Sequence, residues 1–417
     1  MIFDNNKHNF NLFMQNWPPE DEYVIYGASK DAPRLIDTMD YLLKKNKLNV
    51  NNIIDDNENS KVLYDYPIGS FNEVYKFDQS TYKPKKFLRN KIEDSLNIIS
   101  FQKYKDDPNL RNKKIIIASD FNYIYYKNFL EKNGYKEDID FCNYKKIAAI
   151  WPFKLEGLTH LWRTDILLTE KCSLNCTFCN MYMPHYEKQK HRDLDEIKLD
   201  IKTYFKKIDF VSVFHLVGGE PLLYPFAAEV IDFISKNYRE KIGYFFLTTN
   251  GTVAPKEKVL EAMQKNSMTI HISDYTESIN YSRKLSQTKE RLDKYKIKYL
   301  LRNDTSWTDF GDPKIQKFSE LNEIINHFDT CSAPFRGLNR LKYYYCHLNT
   351  SAVLSEMHED DENNYINLNN NNFNAEDLLK LDLGFPKKGY VTFCKYCYGC
   401  NTKIGDKVSP KSQGIRH

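Results

Sequence analysis

The 417-residue chain is most easily bounded by what it lacks. No apolar stretch approaches the roughly 20 residues that span a bilayer. The start, from Met1 to Asn6, has neither the basic segment nor the apolar run of a secretory signal. Lys and Arg number 60 against 56 Asp and Glu, so the basic excess or stripe of a nucleic-acid binder is missing. Nor is the chain short of core-forming residues: 41% are hydrophobic, with 30 Tyr and 26 Phe, which excludes a disordered polypeptide. These absences lead us to expect a soluble, cytoplasmic protein with no membrane and no nucleic acid among its partners.

What is present begins with length and cysteine. The length implies two or three domains. Eight of the nine cysteines lie beyond residue 171, at short spacings. In a chain without an export signal, such spacings point to metal rather than to disulfides. The ninth, Cys142, stands outside every motif and reads as structural.

Residues 1–145 read as an α/β unit of their own. Tyr23 to Ser29 is a short buried strand ending at Gly27, and Ala32 to Lys44 carries Leu35, Ile36, Met39 and Leu42 on one helical face. Val50 to Asp56 is a second strand with acidic residues at its end. Lys114 to Asp120 is a third, followed by a helix from Tyr123 to about Asn133. Strand, helix and acidic-tipped strand make a Rossmann-like opening, although Gly27 is alone where the dinucleotide fingerprint has three glycines. The segment from Lys76 to Leu110 is charged and aperiodic and reads as an insertion or long loop.

From about residue 160 to 329, strands alternate with helices. The strands are Thr164–Leu168, Phe210–Val217, Ile242–Thr248, Ser267–Ser273 and Ile297–Arg302; between them lie helical patterns at Leu194–Phe205, Phe226–Ser235, Lys256–Gln264 and Arg283–Tyr295. Repeated β-α units of this length predict a parallel barrel or partial barrel whose site lies at the C-terminal strand ends. Directly after the first strand come Cys172, Cys176 and Cys179, a C-x3-C-x2-C triplet. Three thiolates so placed hold three irons of a [4Fe–4S] cube and leave the fourth open to a small molecule. Zinc is the competing reading, but it commonly takes four ligands from two C-x2-C pairs. The second strand ends in Gly218, Gly219 and Glu220, where glycines admit close backbone approach and a carboxylate can accept from an ammonium.

On these residues the chain resembles the radical S-adenosylmethionine (radical SAM) superfamily, whose motif is C-x3-C-x-aromatic-C, with Phe178 as the aromatic. The resemblance covers Trp162 to Asp329. It implies a partial (β/α)6 barrel in an α/β chain, with Cys172, Cys176 and Cys179 ligating the cluster. The open iron then takes the amino and carboxylate groups of S-adenosylmethionine, and Phe178 packs near the adenine. It further implies that Gly218, Gly219 and Glu220 contact the methionine amino group, that Ser273 and Arg302 hold the carboxylate, and that Asn250 holds the ribose. The activity implied is reductive cleavage to a 5′-deoxyadenosyl radical, with an external electron donor such as flavodoxin or ferredoxin. For Asn250, Ser273 and Arg302 the plain alternative is an ordinary polar strand end.

Residues 330–417 carry Cys331, Cys346, Cys394, Cys397 and Cys400, with an acidic, Asn-rich loop from Glu356 to Asn374 between the second and third. The placement resembles the auxiliary-cluster extensions of the superfamily (the SPASM and shorter twitch forms). Five cysteines suit one auxiliary [4Fe–4S] cluster rather than two. The resemblance implies Cys331, Cys346, Cys394 and either Cys397 or Cys400 as ligands, with Cys397 preferred. Cys400 is then an idle thiol or the hydrogen-atom donor. The chain departs from the family pattern in having no glycine a few residues before Cys346, and zinc remains the alternative for this site.

The opening unit loosely resembles nucleotide-sugar-binding domains of polysaccharide enzymes, through Ile25–Ser29, Ile53–Asn57 and Lys61–Ile68. That favours a carbohydrate, sugar nucleotide or related small metabolite as substrate, with oxidation or epimerisation as the outcome. A peptide maturase is the rival, and a non-enzymatic iron–sulfur carrier or regulator the reading from another class.

Overall fold

The computed structural model describes residues 9–27, 50–54, 97–119, 123–303, 307–331, 335–370, 372–400, 407–408 and 413–415. The chain divides into two compact units, Met1–Trp162 and Arg163–His417.

The first unit opens with helix α1 (Phe10–Asn16), capped by Asn9, and strand β1 (Tyr23–Tyr26). It continues with β2 (Val50–Ile54), β3 (Asn97–Ile99), α2 (Phe101–Asp106), β4 (Ile115–Ile117), α3 (Tyr123–Lys132), β5 (Phe141–Asn143) and α4 (Tyr144–Glu156). Among the described residues its five strands are all parallel, in the order β3-β2-β1-β4-β5. That is the order of a doubly wound open sheet, which reverses direction between β1 and β4. Gly27 ends β1 at φ +101°, a conformation that suits glycine, and donates its N–H to Ile54 O at 2.9 Å. Val24, Tyr26, Ile115, Ile117, Leu130 and Phe141 are buried in its core. Two buried indoles are satisfied within the unit: Trp17 donates to Asp138 O and Trp151 to Trp17 O, each at 3.0 Å. Cys142 lies on β5 as a register partner of Ile116, and burial pushes its thiol well up, as a structural cysteine should behave. The expected helix Ala32–Lys44 lies outside the described residues.

One expectation fails here. Of the stretch 76–110, the part from 97 onward is not loop, because β3 pairs with β2 and α2 buries Phe101 and Tyr104. A three-residue strand and a two-turn helix are too short to show a period between charged neighbours.

The second unit contains β6 (His160–Leu167, which crosses the boundary), β7 (Leu174–Cys176), α5 (Leu194–Lys207), β8 (Phe210–Val217), α6 (Ala227–Tyr238), β9 (Ile242–Thr249), α7 (Glu257–Lys265), β10 (Thr269–Asp274), α8 (Ser282–Lys294) and β11 (Tyr299–Asn303). After them come β12 (Trp307–Thr308), α9 (Leu321–Thr330), β13 (Gly337–Asn339), β14 (Lys342–Tyr344), α10 (His347–Leu354), β15 (Tyr365–Asn367), α11 (Ala375–Asp382), β16 (Lys407–Val408) and β17 (Gln413–Ile415). The sheet order is β11-β10-β9-β8-β6-β13-β14-β15. Strands β8 to β11 pair in parallel, as β-α repeats require, and this mixed α/β sheet is that of a partial barrel. Every residue of β8 is buried, so apolar side chains face both ways along it, interrupted by Ser212 and His215, rather than alternating with exposed polar ones. Helix α5 shows why the intervening elements form. Asp193 caps it, Asp195 and Glu196 sit in its first turn, Lys206 and Lys207 in its last, and Ile197, Ile201, Tyr204 and Phe205 form its buried face.

Strands β13, β14 and β15 join the same sheet. β13 pairs in parallel with β6, and β14 and β15 follow in antiparallel register. The β13–β14 turn puts Arg340 and Leu341 at φ +48° and +60°, positions where a tight hairpin favours Asn and Gly. This is the region where the family glycine is absent. Asp200 of α5 compensates, since its carboxylate accepts from Arg340 N at 3.0 Å and Leu341 N at 2.6 Å, and from Arg192 Nη2 at 2.6 Å.

Candidate active site

Strand β6 delivers the cysteine loop to the end of β8. Leu168 N–H donates to Val217 O, Gly219 N–H to Thr169 O and Glu220 N–H to Lys171 O, each at 2.8 Å. Both glycines are required by space. A Cβ on Gly218 would lie 2.8 Å from Thr169 O, and one on Gly219 would lie 2.5 Å from Lys171 O and 2.8 Å from Cys172 Cβ. The Gly-Gly-Glu segment therefore supports the cysteine loop from behind. Cys176 is buried, Cys172 and Cys179 half-buried, and burial pushes the Cys176 thiol up, reinforced by Cys179 and Cys172. Leu174 N–H donates to Cys172 Sγ at 3.4 Å. β7, inside this loop, pairs antiparallel with β17, placing Gln413 opposite Cys176.

Glu220 sits differently from the role the motif implies. It is fully buried, and its carboxylate already accepts from Asn250 N (2.8 Å), Thr249 Oγ1 (2.8 Å) and Leu222 N (3.0 Å). Burial, opposed by those donors, raises it to about 7. The side chain thus ties the end of β8 to the end of β9. Asn250 is drawn to the cysteines: its Nδ2 donates to Ser173 Oγ at 3.1 Å and Cys172 Sγ at 3.7 Å, while its Oδ1 accepts from Thr252 N at 3.0 Å. Ser273 is buried at the end of β10 and is the register partner of half-buried Arg302 on β11. Phe178 is half-buried on the cysteine loop.

Within the sheet lies a polar network that motif reading missed. Asp165 accepts from Arg163 Nε at 2.8 Å and meets His215 Nδ1 at 3.2 Å and His347 Nδ1 at 2.9 Å. His215 Nε2 pairs with Thr248 Oγ1 at 2.8 Å. Phe246 is stacked between His215 and His271, with centroids 4.0 Å away on each side. Burial, only partly opposed by Asp165, lowers His215 to about 4. A clue was present in β6, where Arg163 and Asp165 stand two apart, and so on one face, in a strand that is almost wholly buried.

The five C-terminal cysteines converge. Cys400 is hydrogen-bonded to Cys331, and Cys331, Cys346 and Cys397 all lie close enough to raise its thiol. After burial, Cys331, Cys346 and Cys397 raise Cys394; Cys346 is pushed up to about 11 by burial and then by Cys331. Gly399 donates its N–H to Cys397 Sγ at 3.2 Å. The buried Tyr182 Oη and His327 Nδ1 of this region have no hydrogen-bond partner among the described residues. Among the described residues, no three His, Cys, Asp or Glu side chains close around a point as the ligands of one ion would. Buried thiols resist ionisation without a cation, so irons replacing their protons suit both groups chemically, and the unbonded Tyr182 hydroxyl beside the second group fits an absent acceptor.

The site therefore combines a parallel α/β sheet, a three-cysteine loop at a strand end and a glycine cradle beneath it. The sequence model of the Radical SAM superfamily matches residues 166–302, and this span is a radical SAM domain. Proteins of the superfamily use a [4Fe–4S] cluster and S-adenosylmethionine. No curated protein matches the chain in sequence. Among solved structures, anSMEcpe with bound AdoMet and Cp18Cys peptide matches at 22% identity and TM-score 0.28, over 35% of this chain and 43% of its own. BtrN in complex with AdoMet and 2-DOIA matches at 14% identity and TM-score 0.33, over 48% and 83%. Streptococcus suis SuiB bound to precursor peptide SuiA matches at 17% identity and TM-score 0.27, over 37% and 35%. The chain thus spans less than half the length of anSMEcpe. Among the described residues, no helix is long and apolar enough to cross a membrane.

Proposed function

We propose that the chain is a radical SAM enzyme that cleaves S-adenosylmethionine reductively and removes a hydrogen atom from a carbohydrate, nucleotide sugar or related small metabolite, oxidising or epimerising it. The observation that carries this is the join between the cysteine loop and Gly218-Gly219-Glu220, where two glycines without room for a Cβ hold the three thiols at the strand end. Cys172, Cys176 and Cys179 would hold the cluster. Bound there, cluster and S-adenosylmethionine supply a carbon radical able to attack an unactivated C–H bond.

The chain's own residues then position and shield. Glu220 keeps the ends of β8 and β9 together, and Asn250 donates to Cys172 and braces Ser173. Gly218 and Gly219 leave their backbone available to the methionine end of the cofactor, Phe178 its ring to the adenine, and Ser273 with Arg302 a polar pair for the carboxylate. Cys331, Cys346, Cys394 and Cys397 would hold one auxiliary [4Fe–4S] cluster, which suits an oxidation by accepting an electron. Cys400, beside Cys331, is the thiol that would return a hydrogen in an epimerisation. A flavodoxin or ferredoxin would supply the reducing electron.

The sugar-like substrate rests on the first unit, whose parallel sheet reverses order beside Gly27, the place where such sheets take ligands. The test is label transfer: deuterated sugars, sugar nucleotides and peptides are incubated anaerobically with the reduced enzyme and S-adenosylmethionine. Deuterium in 5′-deoxyadenosine from a sugar supports the reading, and deuterium only from a peptide overturns the substrate class.

A further inference from the structure

We infer that Tyr182 donates its hydroxyl hydrogen to a sulfur of the auxiliary cluster and thereby sets that cluster's reduction potential, an inference resting on the reading that the C-terminal cysteines hold a cluster. Tyr182 lies three residues past Cys179, to whose carbonyl its N–H donates at 2.9 Å. Its backbone takes φ +53°, in the left-handed region that a bulky residue occupies at a cost. The consequence is a reversal of side. Met181 and Met183 pack with Leu167 and Val217 alongside Cys172 and Cys179. Tyr182, between them, packs instead with Leu348, Phe393 and Cys397, alongside Cys346.

Tyr182 is only 5% exposed, and its Oη has no hydrogen-bond partner among the described residues. A buried phenol hydroxyl ordinarily finds an acceptor. Its packing group brings Cys397 and Cys346 beside it, and although the His185 ring lies 6.5 Å away and Asp309 is near, neither bonds its hydroxyl, so an acceptor carried by those thiols fits it. Reduction puts added negative charge on the cluster sulfurs, so a donor to them stabilises the reduced form and raises the potential.

The experiment uses the full chain carrying C172A, C176A and C179A, reconstituted so that only the auxiliary cluster holds iron, about four per chain. Its midpoint is read by potentiometric titration followed by electron paramagnetic resonance. Tyr182→Phe is expected to lower the reduced-to-oxidised ratio about tenfold at a fixed potential, a negative shift of about 59 mV for one electron. Fluorotyrosine in place of Tyr182, a stronger donor of nearly the same size, shifts the midpoint the other way. Unchanged midpoints in both, with iron retained, overturn the inference. If Tyr182→Phe takes up no iron, the fluorotyrosine protein decides: an upward shift supports the bond, and an unshifted midpoint refutes it. If the triple-alanine protein itself takes up no iron, the auxiliary-cluster reading falls and takes this inference with it, a failure the iron count separates from the others.

Discussion

Gly219→Ala should remove one cluster and spare the other. The new Cβ would stand 2.5 Å from Lys171 O, 2.7 Å from Lys171 C and 2.8 Å from Cys172 Cβ. All three are roughly 1 Å inside ordinary contact distance, and none belongs to the movable end of a side chain. The strand end must therefore part from the cysteine loop. That stretches the bonds from Gly219 N to Thr169 O and from Glu220 N to Lys171 O. Each of the two bonds contributes about 0.5–1.5 kcal/mol, and overpacking adds about 1–3 kcal/mol, so the loss should be about 2–6 kcal/mol. Cys172 moves with the loop. Iron after anaerobic reconstitution should drop from about eight to about four per chain, and formation of 5′-deoxyadenosine should cease. Gly134→Ala is the control: it strains a φ of +88° with no atom within 4 Å, so it should cost about 1 kcal/mol while leaving iron intact. Full iron and full cleavage in Gly219→Ala would refute the argument that the glycines shape the cysteine loop.

Other expectations follow from single contacts. Glu220→Gln sets an NH2 group against at least one of the donors Asn250 N, Thr249 Oγ1 and Leu222 N, and should cost about 1–3 kcal/mol in urea denaturation. His215 is held neutral down to about 4, so between pH 6.5 and 4 the unfolded chain binds a proton that the native one refuses. The stability this gives is lost as pH falls through that window, by up to about 1.4 kcal/mol per pH unit. Glu220, raised to about 7, acts with the opposite sign in part of the same range, so the readout is the difference in slope between wild type and His215→Asn. Leu341→Gly should relieve the +60° turn and stabilise the protein by about 1 kcal/mol. Iron content of Cys397→Ala and Cys400→Ala should show which thiol completes the auxiliary set: loss in the first with retention in the second is expected.

The parallel strands and their helices were legible because buried strands are apolar along their length and the helices have one apolar face. β8, Phe210–Val217, is the clearest case, matching the expected span at both ends. The Cys172, Cys176 and Cys179 loop was legible as a group because its spacing is local. Contacts made between distant segments were not. Nothing near Arg340 and Leu341 announces that Asp200, 140 residues away, will hold their amides. Glu220 reads as a free carboxylate until β9 is seen to supply its donors. Tyr182 looks like any aromatic beside a motif, and only its left-handed backbone turns it from one group of thiols toward the other. β3 and α2 were hidden by brevity, and their stability comes from pairing and burial rather than periodicity.

The most direct test of the radical SAM reading is anaerobic incubation of the reconstituted protein with dithionite and S-adenosylmethionine. The account predicts 5′-deoxyadenosine from the wild type and none from the protein with Cys172, Cys176 and Cys179 all changed to Ala, which should keep its auxiliary iron. No 5′-deoxyadenosine from the fully loaded wild type, with or without candidate substrates, would contradict it.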